Sequence, residues 1–265
     1  MPELPEVETV VRGLRGPLVG RTITGITVLW PRTAGTPISF LETRLPGQRI
    51  EAITRRAKYL QFHLSAADTL LIHLKMSGEL LVEAVTDPPH KHARAIFDLD
   101  NNHQLRFNDM RKFGRIYLVD DPAQVVGKLG PEPLADDFSI DDFKTLFQRR
   151  TGRLKPLLLN QEFIAGIGNI YADEACHRAK IDPRRQVDTL SAPELAALYQ
   201  AIRQVLNEGI THKGASFDQV YRGGQFQNNF QVYSRAGEPC LKCGAEIQRI
   251  VLGGRSTHFC SQCQI

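Results

Sequence analysis

Residues 240–263 read CLKCGAEIQRIVLGGRSTHFCSQC and contain four of the five cysteines of the chain. These cysteines form two Cys-x-x-Cys pairs separated by sixteen residues, which is the spacing of a zinc ribbon. Each pair can place two thiolates on one tight turn, and two such turns complete a tetrahedron around Zn²⁺. The sequence therefore predicts one structural zinc ion held by Cys240, Cys243, Cys260 and Cys263.

The segment between the two pairs is predicted to be a short β-hairpin. Extended runs at residues 246–252 and 257–259 flank the turn residues Gly253 and Gly254. So few apolar groups could not hold this segment together without the metal. Disulfide bonds are the alternative, and a cytosolic location disfavours them. Cys176 is left over and is expected to be a small buried hydrophobic residue on a helix.

The region before the zinc segment is predicted to be helical. Apolar periodicity predicts helices at residues 140–150, 154–160, 169–179 and 192–212. Two glycines, Gly166 and Gly168, allow tight turns before Asn169, which is expected to cap the third of these helices. The amides at that helix start can bind phosphate, although a well-capped helical hairpin is the plainer alternative. Lys155 and the bases at residues 149–153 favour the phosphate site.

The first half of the chain is predicted to be a helix packed on β-strands. Apolar residues at 4–14 fall on one helical face, and Pro5 and Glu6 occupy the first turn, as a helix start prefers. Strand-like runs follow at residues 21–29, 50–55, 59–64, 69–76, 80–85, 93–99, 104–108 and 115–119. Strands at this spacing predict an α+β chain that begins with a β-sandwich and its packed N-terminal helix.

Composition excludes several classes of protein. The chain has 265 residues, of which 42% are hydrophobic and 23% charged, with no low-complexity tract, so extensive disorder is excluded. Its longest uncharged runs are about half of what a bilayer span needs. The acidic start MPELPEVETV resembles neither a signal nor a transit peptide, so a cytosolic protein is expected. The net charge of +4 does not by itself indicate a nucleic-acid partner.

The distribution of charge is more informative than its sum. Basic residues cluster at 55–58, 111–115 and 149–155, whereas residues 1–11 and 131–148 carry an excess of acids. Three separate basic clusters on one chain could line a groove for a polyanion. For any one cluster, a solvated face on an unrelated loop is an equally good interpretation.

The N-terminus supplies a candidate nucleophile. A small residue after Met1 usually permits removal of the initiator methionine, which exposes Pro2 as a secondary amine. An α-amine has a pKa of about 8, so a fraction of the molecules carries the unprotonated amine at neutral pH. This amine can attack an electrophilic carbon. Glu3 and Glu6 lie within one helical turn and could donate or position a proton. Without other motifs, this segment would simply be an acidic, proline-started helix terminus.

Several motifs together resemble the formamidopyrimidine-DNA glycosylase family of bifunctional repair enzymes. The motifs are PELPEVET at residues 2–9, RRAKYL at 55–60, HLKMSG at 73–78, DMRKFG at 109–114, LGPEPL at 129–134, GIGNIYA at 166–172, and the zinc segment with Gly254-Arg255. They occur in collinear order along the whole chain. The sibling family, endonuclease VIII, is similar in plan but typically has glycine at the position of Leu4 and acts on oxidised pyrimidines.

The resemblance implies a catalytic role for each of four residues. Pro2 would be the nucleophile that attacks the sugar C1′ of the damaged nucleotide, and Glu3 would donate the proton that helps to open the deoxyribose ring. Lys58 would serve the β-elimination, and Arg255 the δ-elimination. Both eliminations expel phosphate, so cations that bind phosphate fit these steps, and plain phosphate anchoring is the alternative role for both.

The resemblance also implies a set of residues that contact double-stranded DNA. Met76, Arg111 and Phe113 resemble three residues that fill the void left by a flipped base, although Met76 and Phe113 taken alone would be read as core residues. The remaining DNA-contacting candidates are His92, Arg150, Asn169 and the phosphate-binding candidate Lys155.

The implied fold has three domains: a β-sandwich at residues 1–130, a helix-two-turns-helix domain at 131–235, and a zinc finger at 236–265. A monomer with a cytoplasmic, nucleoid-associated location is expected. The loop at residues 214–230 is a few residues shorter than is usual where family members cover 8-oxoguanine, so the sequence leaves open the preference between formamidopyrimidine and 8-oxoguanine. A non-catalytic DNA-binding zinc protein and an endonuclease VIII-like enzyme are the alternative functions.

Overall fold

A computed structural model describes residues 1–216 and 223–265 of the chain. The chain divides into two compact units, the first made mainly of residues 1–128 and the second of residues 129–215 and 225–265. The zinc segment groups with the helices of the second unit rather than standing apart. The finer division into three domains stays a prediction.

The first unit is a sandwich of two four-stranded antiparallel sheets. The strands are β1 Ile23–Val28, β2 Ile50–Arg56, β3 Tyr59–Leu64, β4 Thr69–His73, β5 Gly78–Ala84, β6 Ala93–Leu99, β7 His103–Asp109 and β8 Arg115–Val119. One sheet has the order β1-β6-β7-β5 and the other β2-β3-β4-β8. Residues of both sheets share one apolar core, so the predicted β-sandwich is confirmed.

The N-terminal helix α1, Leu4–Leu18, covers this core. Its residues Val7, Val11, Leu14 and Leu18 recur on one face and are all buried in the core cluster. The helix extends past the predicted end at residue 14 and continues through Pro17. The apolar face continues to Leu18, which is fully buried, and this packing holds the last turn in place despite the proline.

Short helical segments complete the first unit. The helices are α2 Ile38–Arg44 and α3 Ala123–Val126, with a 3₁₀ turn at Pro31–Thr33. None of these segments was predicted, because each is too short to carry an apolar periodicity. The predicted strand at residues 69–76 ends early, at His73. Lys75 has a φ of 52°, which no strand residue adopts, so Met76 lies in a turn.

The second unit contains four helices and the zinc hairpin. The helices are α4 Ile140–Phe147, α5 Leu154–Leu159, α6 Asn169–Arg178 and α7 Ala192–Thr211, with 3₁₀ turns at Val187–Thr189 and Phe226–Asn229. The helix predicted at residues 140–150 stops at Phe147, because Arg149 adopts a left-handed φ of 58°. The hairpin strands are β9 Ile247–Leu252 and β10 Arg255–Cys260.

The hairpin turn has a specific backbone requirement. Gly253 and Gly254 have φ values of 57° and 74°, so both occupy the left-handed region that two-residue hairpin turns of the primed type demand. The predicted α+β class, with its sandwich, helical region and zinc hairpin, is therefore confirmed. Among residues 1–216 and 223–265, no helix is both long and apolar enough to cross a membrane.

Two helical glycines make the packing of α7 testable. A Cβ at Gly209 would lie 2.6 Å from the Tyr171 ring, which stacks on Phe226 at 5.2 Å, whereas nothing lies within 4 Å of a Cβ at Gly13 on α1. We expect Gly209→Ala to lower the free energy of unfolding by about 1–3 kcal/mol through overpacking. The control Gly13→Ala should raise it by about 0.5–1 kcal/mol. Thermal melting measures both, and a stabilising Gly209→Ala would contradict the packing.

Candidate functional site

The predicted nucleophile and proton donor lie at the start of α1. Pro2 is buried, and Glu3 is the N-cap of the helix with only 3% of its surface exposed. The Glu3 backbone N–H donates to Glu6 Oε2 at 2.8 Å, which completes a capping box. Capping therefore fixes the backbone at residue 3, and with it the direction in which the Glu3 side chain leaves the helix.

Lys58 is carried by the turn between β2 and β3. Ala57 has a φ of 52°, and its carbonyl accepts from Arg55 Nη1 at 3.0 Å. Arg55 Nε also donates to Glu8 Oε2 on α1 at 3.1 Å, so the hairpin that carries Lys58 is tied to the helix that Glu3 caps. Lys58 itself is only 4% exposed.

The ion pair that anchors this hairpin is charged at neutral pH. Burial raises the pKa of Glu8, but hydrogen bonds and charge from Arg12 and Arg55 more than offset this, so the pKa lies below its ordinary value. Folding stability from this group is therefore present above the ordinary carboxyl pKa and is lost as the pH falls through the lowered value.

A neutral histidine lies beside Lys58. His73 pairs with Tyr59 across β3 and β4, and their rings meet edge-on with centroids 4.6 Å apart. Burial, together with the charges of Lys75 and Lys58, lowers the pKa of His73 to about 3. Its Nδ1 accepts from the Lys75 N–H at 2.9 Å. The imidazole therefore adds no positive charge next to Lys58 at neutral pH.

The three predicted void-filling residues are exposed on turns of the first unit. Met76 is 36% exposed and Phe113 is 47% exposed, so neither is a core residue, as each would be if read alone. The Arg111 guanidinium lies 5.0 Å from the centre of the Phe113 ring. Met110, which the sequence reasoning did not select, is also exposed, at 58%. Exposed apolar side chains next to basic side chains fit a surface that inserts between stacked nucleobases.

His92 lies just before β6 and is half-exposed. Its ring is 5.1 Å from that of His90, and its Nδ1 is 3.4 Å from Arg94 Nη2. The Asp109 N–H donates to the His92 carbonyl at 2.9 Å, which links this segment to the end of β7.

In the second unit, Asn169 is the first residue of α6. Gly168 is the N-cap and makes no side-chain cap, so the expectation that Asn169 itself caps the helix is wrong. The Asn169 side chain instead reaches β10, where Nδ2 donates to Ser256 Oγ at 3.4 Å. Asn169 Oδ1 is buried and has no partner among the described residues. The amide is therefore held by the zinc hairpin rather than by its own helix.

Arg255 stands at the start of β10 and is exposed. The hairpin tip beside it rests on α5, because a Cβ at Gly253 would lie only 3.1 Å from Pro156 Cγ. Arg150 is also exposed, with its guanidinium 6.0 Å from the centre of the Phe163 ring.

Lys155 occupies a different environment from the one predicted. Its side chain is fully buried, and Nζ lies 2.6 Å from Asp173 Oδ1 and donates to the Ser256 carbonyl at 2.7 Å. Asp173 Oδ2 accepts from the His258 backbone N–H at 2.9 Å. An ammonium held this way does not present itself to a DNA phosphate, so direct phosphate contact does not fit Lys155. The sequence shows that Lys155 is basic, but it does not show that the lysine is buried in an ion pair with a carboxylate far along the chain.

The four cysteines form a site that fits zinc. Their Sγ atoms lie within 4.8 Å of one another, with Cys240 and Cys263 3.9 Å apart and Cys243 and Cys260 3.5 Å apart. Zn–S bonds of 2.3 Å in a tetrahedron require sulfur separations of about 3.8 Å. His177 Nε2 lies 3.8 Å from Cys240 Sγ, which connects the site to α6. These distances support the predicted zinc ion.

Comparison with known proteins identifies the family. Residues 1–116 match the formamidopyrimidine-DNA glycosylase N-terminal domain, residues 129–220 its H2TH domain, and residues 237–265 the zinc finger found in FPG and IleRS. The formamidopyrimidine-DNA glycosylase of Heliobacterium modesticaldum is 47% identical over 100% of both chains, and that of Pelotomaculum thermopropionicum is 46% identical over 100% of this chain and 99% of its own. The chain belongs to the formamidopyrimidine-DNA glycosylase family.

Solved structures agree with this assignment. The Lactococcus lactis Fpg in complex with DNA containing N7-benzyl-Fapy-dG is 39% identical, with a TM-score of 0.94 over 99% of both chains. A MutM complex with DNA containing carbocyclic 8-oxo-G is 39% identical, with a TM-score of 0.93 over 99% of both chains. Residues 217–222 of the loop that the sequence singled out lie outside the described residues, so the lesion preference stays open.

The zinc site makes a first prediction for this region. We expect Cys243→Ser to lose the metal and with it the backbone order of the hairpin, because two short strands with few apolar groups do not hold together alone. Metal analysis should show one zinc per chain before the change and none after it, with faster amide exchange across residues 247–260. The control Cys176→Ala alters a buried cysteine outside the cluster and should keep the metal. Equal zinc content in both variants would contradict the site.

A second prediction separates the roles of Lys155 and Arg150. Lys155→Met leaves the buried Asp173 carboxylate without its lysine cation, so the free energy of unfolding should fall by about 3–5 kcal/mol. Arg150→Ala removes an exposed cation and should instead reduce the salt dependence of DNA binding by about one phosphate contact. Denaturant titration and binding at several salt concentrations measure the two effects. A reduced salt slope with unchanged stability in Lys155→Met would restore the direct phosphate role.

Proposed function

We propose that the chain excises oxidised purines, both formamidopyrimidines and 8-oxoguanine, from duplex DNA and then cleaves the abasic site. Pro2 is the nucleophile of this reaction, Glu3 the proton donor, and Lys58 and Arg255 the residues that serve the two eliminations. The observation that carries the proposal is the start of α1, where Pro2 precedes a buried glutamate that caps the helix. Full-length relatives of the same family name support the reaction class.

The first step uses the lone pair of the Pro2 nitrogen. This nitrogen attacks C1′ as the bond from C1′ to the base breaks, and the base leaves with the bonding electrons. The attack turns the amine into an ammonium, which gives up its N–H proton to the departing base. The lone pair of the nitrogen then expels O4′, so that the C1′–O4′ bond breaks, O4′ takes a proton and an iminium forms on Pro2. A buried carboxyl group at the N-cap is positioned by its backbone and can supply that proton.

The second stage cleaves the DNA strand. The iminium acidifies the C2′–H bond, so loss of that proton expels the 3′ phosphate. A further elimination expels the 5′ phosphate. Lys58 and Arg255 are cations assigned to these two steps, where they stabilise the charge that builds up on each departing phosphate.

DNA recognition has two parts in this proposal. Met76, Arg111 and Phe113 occupy the space from which the damaged base has been flipped, and Arg111 hydrogen-bonds the base that has lost its partner. His92, Arg150 and Asn169 contact the backbone and fix the register of the duplex. Lys155 contributes by holding Ser256 and Asp173. The enzyme acts on the chromosome, in the cytoplasm.

Both alternative functions are less well supported. An endonuclease VIII-like enzyme typically has glycine at the position of Leu4, and the relatives compared with this chain are named formamidopyrimidine-DNA glycosylase. In a non-catalytic DNA-binding protein Glu3 would serve only as the helix cap, and the four candidate catalytic residues would have no common purpose. The combination of Pro2, Glu3, Lys58 and Arg255 in a chain that aligns with the whole length of its relatives favours the enzyme.

The test of this proposal is covalent trapping. Protein whose intact mass shows loss of Met1 should form one adduct with a lesion-bearing duplex in borohydride, because reduction fixes the iminium on Pro2. The adduct should map to the N-terminal peptide. A form with extra residues before Pro2 keeps every side chain but has no free amine at Pro2, so it should form none.

The variant Pro5→Ala, which changes the other proline of the helix start, should trap normally. No adduct from Met-free protein would refute the enzyme. An adduct on Lys58 would refute the role of Pro2 but not the enzyme activity.

A further inference from the structure

One buried carboxylate contacts three segments that carry residues proposed to contact DNA. Asp109 ends β7 and is 1% exposed. It has none of the roles proposed above. Its contacts reach the turn that carries Met76, the turn that carries Arg111 and Phe113, and the segment that carries His92.

The side chain of Asp109 brackets the turn at residues 110–114. Oδ2 accepts from the Gly114 N–H at 2.7 Å, and Oδ1 accepts from the Arg111 N–H at 3.1 Å. A single carboxylate therefore binds a backbone amide near each end of the turn. Lys112 at its centre has a φ of 62°, so the turn has a left-handed conformation that these contacts hold in place.

Ser77 joins this turn to the one that carries Met76. Its hydroxyl donates to Asp109 Oδ1 and accepts from the Arg111 N–H at 2.9 Å. Ser77 is itself buried. The hydroxyl thus has a partner on each side, and the backbone next to Met76 is fixed relative to the backbone of Arg111.

The main chain of Asp109 holds the third segment. Its N–H donates to the His92 carbonyl at 2.9 Å, and its carbonyl accepts from Arg94 Nε at 2.7 Å. All four of its polar backbone and side-chain groups are therefore used to connect surface segments.

Two glycines allow the turns to come this close. A Cβ at either Gly78 or Gly114 would overlap the ring of Phe107, which is fully buried beneath both turns. The Cβ at Gly114 would also lie 3.2 Å from Asp109 Oδ2. The two glycines therefore allow both turns to pack on the ring of Phe107, and Asp109 supplies the hydrogen bonds that hold the turns there.

We propose that Asp109, together with Ser77, is a positioning residue that sets Met76, Arg111 and Phe113 in one fixed arrangement and thereby determines recognition of the base opposite the lesion. The inference rests on the proposed function. Met, Arg and Phe lose conformational freedom when they insert into DNA, and insertion of all three together is favoured only if their backbones are already in register. The carboxylate keeps this register before DNA binds.

The experiment compares Asp109→Asn and Ser77→Ala with Asp68→Asn. Asp68 is a matched control, because it is also a 1% exposed carboxylate of the first unit, bonded to Arg44 at 2.7 Å and Gln48 at 2.8 Å. Each variant is assayed for single-turnover excision from duplexes with each of the four bases opposite the lesion. Cleavage of a pre-formed abasic site in single-stranded DNA, which has no opposite base, is assayed alongside.

We expect Asp109→Asn and Ser77→Ala to slow excision by roughly tenfold to a hundredfold, since a misplacement of about 1 Å can cost a hundredfold. The preference among opposite bases should flatten in both. Single-strand cleavage should stay within about threefold of the wild type, because the chemistry is untouched. The fluorescence change of 2-aminopurine beside a stable abasic analogue, which reports insertion, should shrink in the same two variants.

Asp68→Asn should lower the melting temperature yet keep the opposite-base preference. The inference is overturned if Asp109→Asn or Ser77→Ala keeps that preference, or if Asp68→Asn loses it equally. If Asp109→Asn does not fold, Ser77→Ala decides alone, because it removes one hydroxyl and leaves the carboxylate with its amide partners. A wild-type protein that neither excises nor cleaves refutes the proposed function instead, so the two failures are distinguishable.

Discussion

The ion pair between Lys155 and Asp173 is the contact that fixes the position of β10, the strand that begins with the candidate residue Arg255. Both side chains are fully buried, so each charge requires the other. Each also binds the backbone of β10, Lys155 at the Ser256 carbonyl and Asp173 at the His258 N–H. Arg255 precedes this locked segment, and Asn169 donates to the Ser256 hydroxyl. The exposed guanidinium of Arg255 and the half-buried amide of Asn169 are thus positioned by a buried ion pair.

The first unit applies the same device to turns rather than to a hairpin. Turn residues lack the hydrogen-bond ladder that fixes a strand, so a functional side chain on a turn needs another anchor. Asp109 binds the backbone of the turn that carries Arg111, and Glu8 binds Arg55 beside the turn that carries Lys58. A buried or half-buried carboxylate contacting backbone or guanidinium lies near each group. In the first unit, the turns that carry Lys58 and Arg111 are therefore held by carboxylates of the surrounding structure.

Sequence patterns predicted much of this fold, but they predicted less well which candidate side chains are exposed and which are buried. Strands β3, β6 and β8 have the bounds that alternation and turn residues predicted, and the cysteine spacing predicted the zinc cluster. Those features are local, so neighbouring residues determine them. The exposure of Met76 depends on a left-handed Lys75, and the burial of Lys155 depends on Asp173 on another helix. The motifs thus supplied candidate residues but did not reveal which of them face solvent and which are buried in ion pairs.

The zinc ion and the buried ion pair act on one strand from different positions. Cys260 ends β10 and Arg255 begins it, so about 17 Å of strand separates this candidate zinc ligand from Arg255. A two-stranded hairpin is marginally stable by itself, and the apolar cluster beneath this one contains few residues. Zinc therefore fixes the base of the hairpin, the ion pair fixes its middle, and Pro156 supports the tip beside Gly253. Without the metal, the end of β10 at Cys260 would no longer be held against α6. Arg255 at the other end of the strand would then lose its fixed position, although it does not bind the zinc.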